Sequence, residues 1–213
     1  MNVIECEQGT ELWRQIRAGK VTASRMNDVL ATIKTGEAAT RRNYRSQVLS
    51  EMMSGQPCEN GYVSEAMKFG SEQEPFARAA YEIARDVTVD QVGFVIHPTI
   101  EFGGCSPDGL VGTEGMIQVK VPNTATHIDY ILAGEVPSDY KNQMLFEMAC
   151  TGRQWSDFVS YDPRLPKHLQ LFVRRFPRDD KRIAEMEQAV VKFLDECREV
   201  IERLGKSVCV EVK

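Results

Sequence analysis

Three polar residues that stand close together in the sequence, Asp108, Gln118 and Lys120, could form a centre for phosphodiester chemistry. Asp108 lies in a Pro-Asp-Gly turn within the segment CSPDGL, and the other two lie in the segment IQVKVP that follows. Side chains at positions i and i+2 of a strand share a face, so Gln118 and Lys120 should project together into one cleft. The alternating residues Ile117, Val119 and Val121 should then point into the core. If the turn pairs with this strand, Asp108 reaches the same face.

A carboxylate beside an amide oxygen and a lysine is a suitable arrangement for holding Mg²⁺ against a phosphodiester. Mg²⁺ prefers oxygen ligands, stabilises charge on the phosphate and lowers the pKa of an attacking water. Lysine is a compact cation that can orient or deprotonate that water. The same spacing also fits a hairpin with a turn aspartate and an exposed lysine, and spacing alone does not separate the two interpretations.

The elements that must position these residues follow from hydrophobic periodicity. The first third predicts helices, the middle predicts a meander of four strands, and the last part predicts alternating helices and strands. This order indicates an α/β fold with a mixed sheet, in a single domain over residues 1–213. The predicted helices are 13–17, 24–33, 38–53, 64–85, 125–133, 138–151 and 179–204, and the predicted strands are 87–89, 93–97, 102–105, 116–121, 157–161 and 169–176.

The composition excludes several classes of protein. With 213 residues, 42% hydrophobic and 27% charged, the chain resembles an ordinary globular protein. No apolar run approaches the roughly 20 residues that span a bilayer, and the N-terminus shows no leader pattern, so we expect a cytoplasmic protein without a membrane partner. Six scattered cysteines without a CxxC pair indicate neither a zinc ribbon nor a disulfide framework.

The charge is distributed unevenly along the chain. The net charge is −5, but residues 14–45 hold eight basic and two acidic residues, and residues 153–182 hold eight basic and four acidic ones. Between these segments, residues 51–115 hold three basic and eleven acidic residues. Basic ends around an acidic middle suit an enzyme that grips phosphates at its rims and holds cations at its centre. Solvated charged faces are the alternative explanation.

Five segments together resemble the YqaJ/lambda-exonuclease branch of the PD-(D/E)XK nuclease superfamily. The SPDG turn followed by a hydrophobic-X-hydrophobic-Lys strand is similar to its D…(E)xK core. The other four are similar to a W…R.G.ITAS signature, a (W/F)G…E helix, a glutamine-bearing helix and a YDPR turn. They lie at residues 13–24, 69–82, 140–148 and 161–164, and the resemblance covers roughly residues 13 to 175.

This resemblance implies a restriction-endonuclease-like mixed β-sheet flanked by helices, and it implies roles for individual residues. Glu74 would join Asp108 and Gln118 as metal ligands, and Lys120 would be the catalytic lysine. Arg17 would contact the 5′-phosphate of a DNA end, with Ser24 and Lys34 as further DNA-binding residues.

The activity that the resemblance implies is Mg²⁺-dependent 5′-to-3′ exonuclease action on linear double-stranded DNA, with Mn²⁺ able to replace Mg²⁺. The substrate would carry 5′-phosphorylated ends, and digestion of one strand would leave 3′ overhangs for phage-type recombination by strand annealing. The resemblance also implies a homotrimer, a single-strand annealing protein as partner, and the cytoplasm of a bacterial host with a phage or prophage gene.

Two departures from the family pattern affect the expected activity. Gln118 stands where the family has Glu, and Gln143-Met144-Leu145 stands where it has Gln-x-Gln, although Gln143 could still position the attacking water. An amide oxygen ligates a cation without adding negative charge, so we expect weakened metal binding and slow or absent cleavage. The alternatives are a non-catalytic DNA-end-binding module and a site-specific endonuclease on the same fold.

Overall fold

The strands form two mixed sheets, and the helices pack around them. A computed structural model of the chain describes residues 1–58 and 64–206. Its helices are α1 Glu11–Arg17, α2 Met26–Val29, α3 Ala39–Ser54, α4 Glu65–Arg85, α5 Thr124–Ala133, α6 Ser138–Thr151 and α7 Asp180–Lys206. Its strands are β1 Asn2–Ile4, β2 Val21–Thr22, β3 Val89–Asp90, β4 Phe94–Ile96, β5 Gly103–Cys105, β6 Gly109–Val111, β7 Gly115–Lys120, β8 Trp155–Tyr161 and β9 Leu171–Pro177.

Local sequence determines where several helices begin and end. The side chains of Thr10, Ser64 and Asn123 accept hydrogen bonds from backbone N–H groups in the first turns of α1, α4 and α5. The helix α6 ends at Gly152, whose φ of 75° is the left-handed conformation that glycine adopts readily. These caps set the start of α1, which carries Arg17, and the end of α6, which carries Gln143.

The smaller sheet has the order β1-β4-β5-β2, with β2 parallel to β5 and the other pairs antiparallel. The larger sheet has the order β3-β6-β7-β8-β9, in which only β7 and β8 are parallel. Parallel neighbours need a crossover connection, and here α5 and α6 provide it between β7 and β8. The predicted α/β fold with mixed sheets is therefore confirmed.

Both faces of β7 are covered by helices. Ile117 and Val119 pack in a cluster with Ala77 and Tyr81 of α4. Met116, on the other face, packs in the main core with residues of α6 and α7. The strand that carries Gln118 and Lys120 therefore lies between α4 on one side and α6 on the other.

A buried polar contact joins α4 to the larger sheet. Asp157 of β8 is fully buried and accepts two hydrogen bonds from the guanidinium of Arg175 on β9, at 2.8 and 3.0 Å. The Tyr81 hydroxyl donates a third bond to it at 2.8 Å. Because a buried carboxylate is costly without such partners, this contact fixes how α4 lies on the sheet.

Several predicted elements were wrong in detail. The predicted meander is divided between the sheets, since β3 pairs with β6 in the larger sheet while β4 and β5 pair in the smaller one. The predicted helix 24–33 is a 3-10 turn followed by the short α2, and residues 167–169 form a 3-10 turn before β9. The strands β1, β2 and β6 were missed, because two or three residues are too few to show alternation.

The long C-terminal helix was predicted correctly. Its buried face contains Ile183, Met186, Val190, Phe193, Leu194 and Cys197. Among the described residues, no helix is both long and apolar enough to cross a membrane. Cys6, Cys58, Cys105, Cys150 and Cys197 are free thiols, and Cys209 lies outside the described residues.

Candidate active site

Asp108 is held at the start of the hairpin formed by β6 and β7. Gly109 pairs with Ile117, so the turn and the strand align as predicted from the sequence. A side chain at Gly109 would collide with Val89 on the neighbouring strand β3. The glycine of the Pro-Asp-Gly turn is therefore required for close packing of the strands beside Asp108.

The carboxylate of Asp108 is fixed by two donors from β7. Its Oδ2 atom accepts a hydrogen bond from the backbone N–H of Val119 at 2.7 Å and another from the amide Nε2 of Gln118. Burial raises the pKa of Asp108 to about 6, and the positive charge of Lys120 opposes this rise. The structure thus brings Asp108, Gln118 and Lys120 together.

The face of β7 that carries Gln118 is not open to solvent. Gln118 is only 1% exposed, because α6 lies over this face of the strand. The expectation that Gln118 and Lys120 face one cleft was wrong in this respect: Gln118 is buried, whereas Lys120 at the strand end is half-buried. The Nζ atom of Lys120 lies 5.2 Å from the ring centre of Tyr140 on α6.

A cleft of about 610 Å³ opens on the other side of Asp108, and Glu74 and Arg78 of α4 line it together with Trp13. Arg78 Nη1 donates to Glu74 Oε1 at 2.7 Å and to the backbone carbonyl of Asp108 at 3.1 Å. Glu74 therefore reaches the neighbourhood of Asp108 through Arg78. Its carboxylate is already ion-paired and 37% exposed.

Arg17, the last residue of α1, lies beside the turn that carries Asp108. Its Nη1 atom donates to the hydroxyl of Ser106 at 3.3 Å, and its guanidinium lies 4.2 Å from the ring centre of Trp13. The indole Nε1 of Trp13 also donates to Ser106, at 2.8 Å. Burial lowers the pKa of Arg17 from its usual value. Arg17 belongs to none of the ion pairs within residues 1–58 and 64–206.

The other two predicted DNA-binding residues are not bonded to this cluster. Ser24 is exposed in the 3-10 turn after β2, with its hydroxyl 3.3 Å from that of Thr22. Lys34 is exposed in the loop between α2 and α3. In the described part of the chain, no hydrogen bond or ion pair joins either residue to Asp108 or Arg17.

One acidic residue near Asp108, Glu147 of α6, was not predicted from the sequence. It is 1% exposed, and Gln143, one turn earlier, donates from Nε2 to Glu147 Oε1 at 2.8 Å. Burial raises the pKa of Glu147 to about 8, and the nearby carboxylate of Asp108 adds to the rise. The signal in the sequence was a single charged residue within the apolar run MLFEMAC.

The available donors are the oxygen atoms that a hard divalent cation prefers. Within the described residues, no three His, Cys, Asp or Glu side chains are grouped closely enough to hold a metal ion on their own. Amide or backbone oxygens, water or phosphate oxygens would therefore complete a metal site at Asp108. The Oε1 atom of Gln118 is buried without a hydrogen-bond partner and can fill this role.

Comparison with known proteins gives matches over most of the chain. The profile of the YqaJ-like viral recombinase domain matches residues 12–154. An alkaline exonuclease from Laribacter hongkongensis is 47% identical, with a TM-score of 0.85 over 92% of this chain and 97% of that one. The same enzyme in complex with dAMP gives a TM-score of 0.86 at the same identity and coverage.

A more distant structure matches in fold. A phage-related exonuclease from Haemophilus somnus 129PT is 14% identical, with a TM-score of 0.69 over 90% of this chain and 99% of that one. A search of the curated proteins found no match.

Proposed function

The chain belongs to the YqaJ-like viral recombinase domain family, and on that basis we propose that it is a deoxyribonuclease that digests linear double-stranded DNA from its ends. The related alkaline exonuclease, 47% identical over almost its whole length, supports exonuclease action. Its complex with dAMP contains a deoxynucleoside monophosphate, the class of product that hydrolysis of a terminal phosphodiester releases. In its finer form the proposal is Mg²⁺-dependent hydrolysis in the 5′-to-3′ direction.

The observation that carries this proposal is the position of Asp108. Its carboxylate is fixed by the Val119 N–H and by the Gln118 amide, and Lys120 stands two residues further along the same strand. Asp108 and the Gln118 oxygen would hold Mg²⁺, or Mn²⁺ in its place. Bound there, the ion would stabilise charge on the phosphate and lower the pKa of the attacking water.

The remaining residues of the site would position the substrate and the water. Lys120 would orient the water or accept its proton, which accounts for a lysine at the end of a buried strand. Gln143 would act on the site through Glu147, to which its amide already donates. Glu74 would contribute a carboxylate from the cleft side once DNA or a cation draws it away from Arg78.

The partners are proposed on the strength of the family. They are linear DNA with 5′-phosphorylated ends and a single-strand annealing protein that takes over the 3′ overhang. We also propose a homotrimer and action in the cytoplasm of a bacterial host, encoded by a phage or prophage. Exposed Ser24 and Lys34 would contact the DNA backbone.

Products distinguish this function from its alternatives. Linear duplex labelled at the 5′ end of one strand should yield labelled mononucleotides early in the reaction and a residual single strand, and only when Mg²⁺ or Mn²⁺ is present. Discrete fragments would indicate a site-specific endonuclease. Tight binding to DNA ends without any turnover would indicate a non-catalytic end-binding module.

Arg17 is predicted to recognise the 5′-phosphate, because its half-buried guanidinium has a neutral hydroxyl partner and no carboxylate partner. A guanidinium matches phosphate oxygens with two parallel hydrogen bonds. Arg17→Ala should therefore slow digestion of 5′-phosphorylated DNA by about 30-fold, on the order of the ~2 kcal/mol of a charge-assisted contact. Digestion of 5′-hydroxyl DNA should change little.

The matched control is Arg14→Ala, since Arg14 lies on the same helix but is exposed and paired with Glu11. It should leave the preference for phosphorylated ends intact. If Arg17→Ala slows both substrates equally, Arg17 is a general phosphate contact and not an end-recognition residue.

A further inference from the structure

Glu147 is a buried acid in an apolar stretch of α6. Its neighbours Met144, Leu145, Phe146 and Met148 are all fully buried. Burying an ionised carboxylate costs several kcal/mol unless a cation or enough hydrogen bonds compensate it. None of the ion pairs within the described residues includes Glu147 or Asp108. Two acids of one site therefore lack a paired cation.

The direction of α6 places Glu147 over Gln118. At one end of β7, the Thr151 hydroxyl contacts the Met116 sulfur at 3.8 Å, and at the other end Lys120 lies by Tyr140. The helix therefore runs against the strand direction across the face that carries Met116, Gln118 and Lys120. Two residues along a strand span about 6.7 Å, and four residues along a helix span about 6 Å. Since Thr151 lies by Met116, Glu147, four residues earlier on α6, lies by Gln118, two residues further along β7.

Gln118 and Glu147 each have one polar side-chain atom in a hydrogen bond and one oxygen without a hydrogen-bond partner. The Nε2 atom of Gln118 donates to Asp108, and Oε1 of Glu147 accepts from Gln143. The Oε1 atom of Gln118 and the Oε2 atom of Glu147 are both buried without a hydrogen-bond partner in the structure. The amide nitrogen of Gln118 is engaged by Asp108, which leaves the amide oxygen free for another partner. Buried acceptors without partners are uncommon and call for a specific ligand.

We propose that Glu147 supplies the carboxylate that position 118 lacks, so that a divalent cation is held by Asp108, Glu147 and the amide oxygen of Gln118. This inference rests on the proposed nuclease function. The negative charge would be moved from strand β7 to the facing helix α6, while the amide keeps an oxygen in the ligand set.

The consequence reverses one expectation from the sequence. Weak metal binding and slow cleavage were expected because Gln118 brings no charge. With Glu147 in the ligand set, the site regains that charge, and the chain as it stands should bind the ion and cleave DNA.

The test is Mn²⁺ binding to the DNA-free protein, measured by calorimetric titration. Glu147→Gln should weaken Mn²⁺ affinity at least tenfold, because it removes the relocated charge and keeps the shape. The exchange Gln118→Glu with Glu147→Gln should restore the affinity to within about threefold of the original, because it returns the charge to the strand. Unchanged Mn²⁺ affinity in Glu147→Gln would overturn the inference.

A matched control is Glu82→Gln on α4, about two turns after Glu74. Its Oε1 accepts a hydrogen bond from the Val89 N–H, which an amide oxygen can still do. Its Mn²⁺ affinity should equal that of the unmodified chain. Thermal melting gives a second readout, since Mn²⁺ should raise the melting temperature of the unmodified chain and of Glu82→Gln but not of Glu147→Gln.

Gln118→Glu alone keeps the inference testable if Glu147→Gln fails to fold. A third carboxylate beside Asp108 and Glu147 should change the cleavage rate by less than about tenfold, whereas an enzyme weakened by Gln118 would gain about 100-fold or more. The larger gain would overturn the inference. The proposed function fails separately, if the unmodified chain does not cleave linear DNA at any Mg²⁺ or Mn²⁺ concentration.

Discussion

Replacing Asp108 by asparagine should lower the rate of DNA digestion by about 1000-fold, equivalent to ~4 kcal/mol of lost transition-state stabilisation. The amide can still accept a hydrogen bond from the Val119 N–H, so the hairpin of β6 and β7 should remain folded. The lost charge belongs to one ligand of the proposed metal site and lies next to the other two, Gln118 and Glu147. Single-turnover digestion of 5′-phosphorylated duplex across a range of Mg²⁺ concentrations measures this effect.

The control for this variant is Asp195→Asn on α7, an exposed acid paired with Arg198. It makes the same chemical change and should leave the rate and the Mg²⁺ dependence unaltered. If Asp108→Asn digested DNA at the normal rate with the normal Mg²⁺ dependence, the reaction centre would lie elsewhere on the chain.

Lys120→Ala should also reduce the rate by about 1000-fold, within the range that a positioned proton-transfer group contributes. Affinity for DNA ends should change by less than about threefold, because Lys120 acts on the water or the transition state more than on the bound substrate. Rates come from single-turnover digestion, and affinity comes from binding to labelled duplex with Ca²⁺ in place of Mg²⁺.

Lys120→Arg separates charge from chemistry at this position. Arginine keeps the positive charge near Asp108 but stays protonated, so it should not rescue a proton-transfer role. The control is Lys192→Ala, which removes a lysine of α7 and should leave both the cleavage rate and the DNA affinity unchanged. Parallel losses of DNA affinity and rate in Lys120→Ala would reassign the lysine to substrate binding.

The sequence predicted those parts of the fold whose signals are long or local. The helix α7 has a buried face that repeats over many turns, so its position in the chain was predicted correctly. The alternation around Gln118 and Lys120 is confined to one strand, and the Pro-Asp-Gly turn sets the neighbouring hairpin. The contact between Asp108 and Gln118 was therefore predictable, and so was the association of the five family segments with this fold.

The position of Glu147 was decided only by tertiary packing. Nothing in the run MLFEMAC indicates which strand the helix will cross, and periodicity does not show that α6 lies over Gln118. The division of the short strands between two sheets was equally hidden, because pairing partners of β3, β4 and β5 are set by long-range hydrogen bonds. Local sequence thus determined which polar residues β7 carries. The packing of α6 on β7 determined that this face is buried and that a second acid meets it, because burial depends on segments distant in sequence.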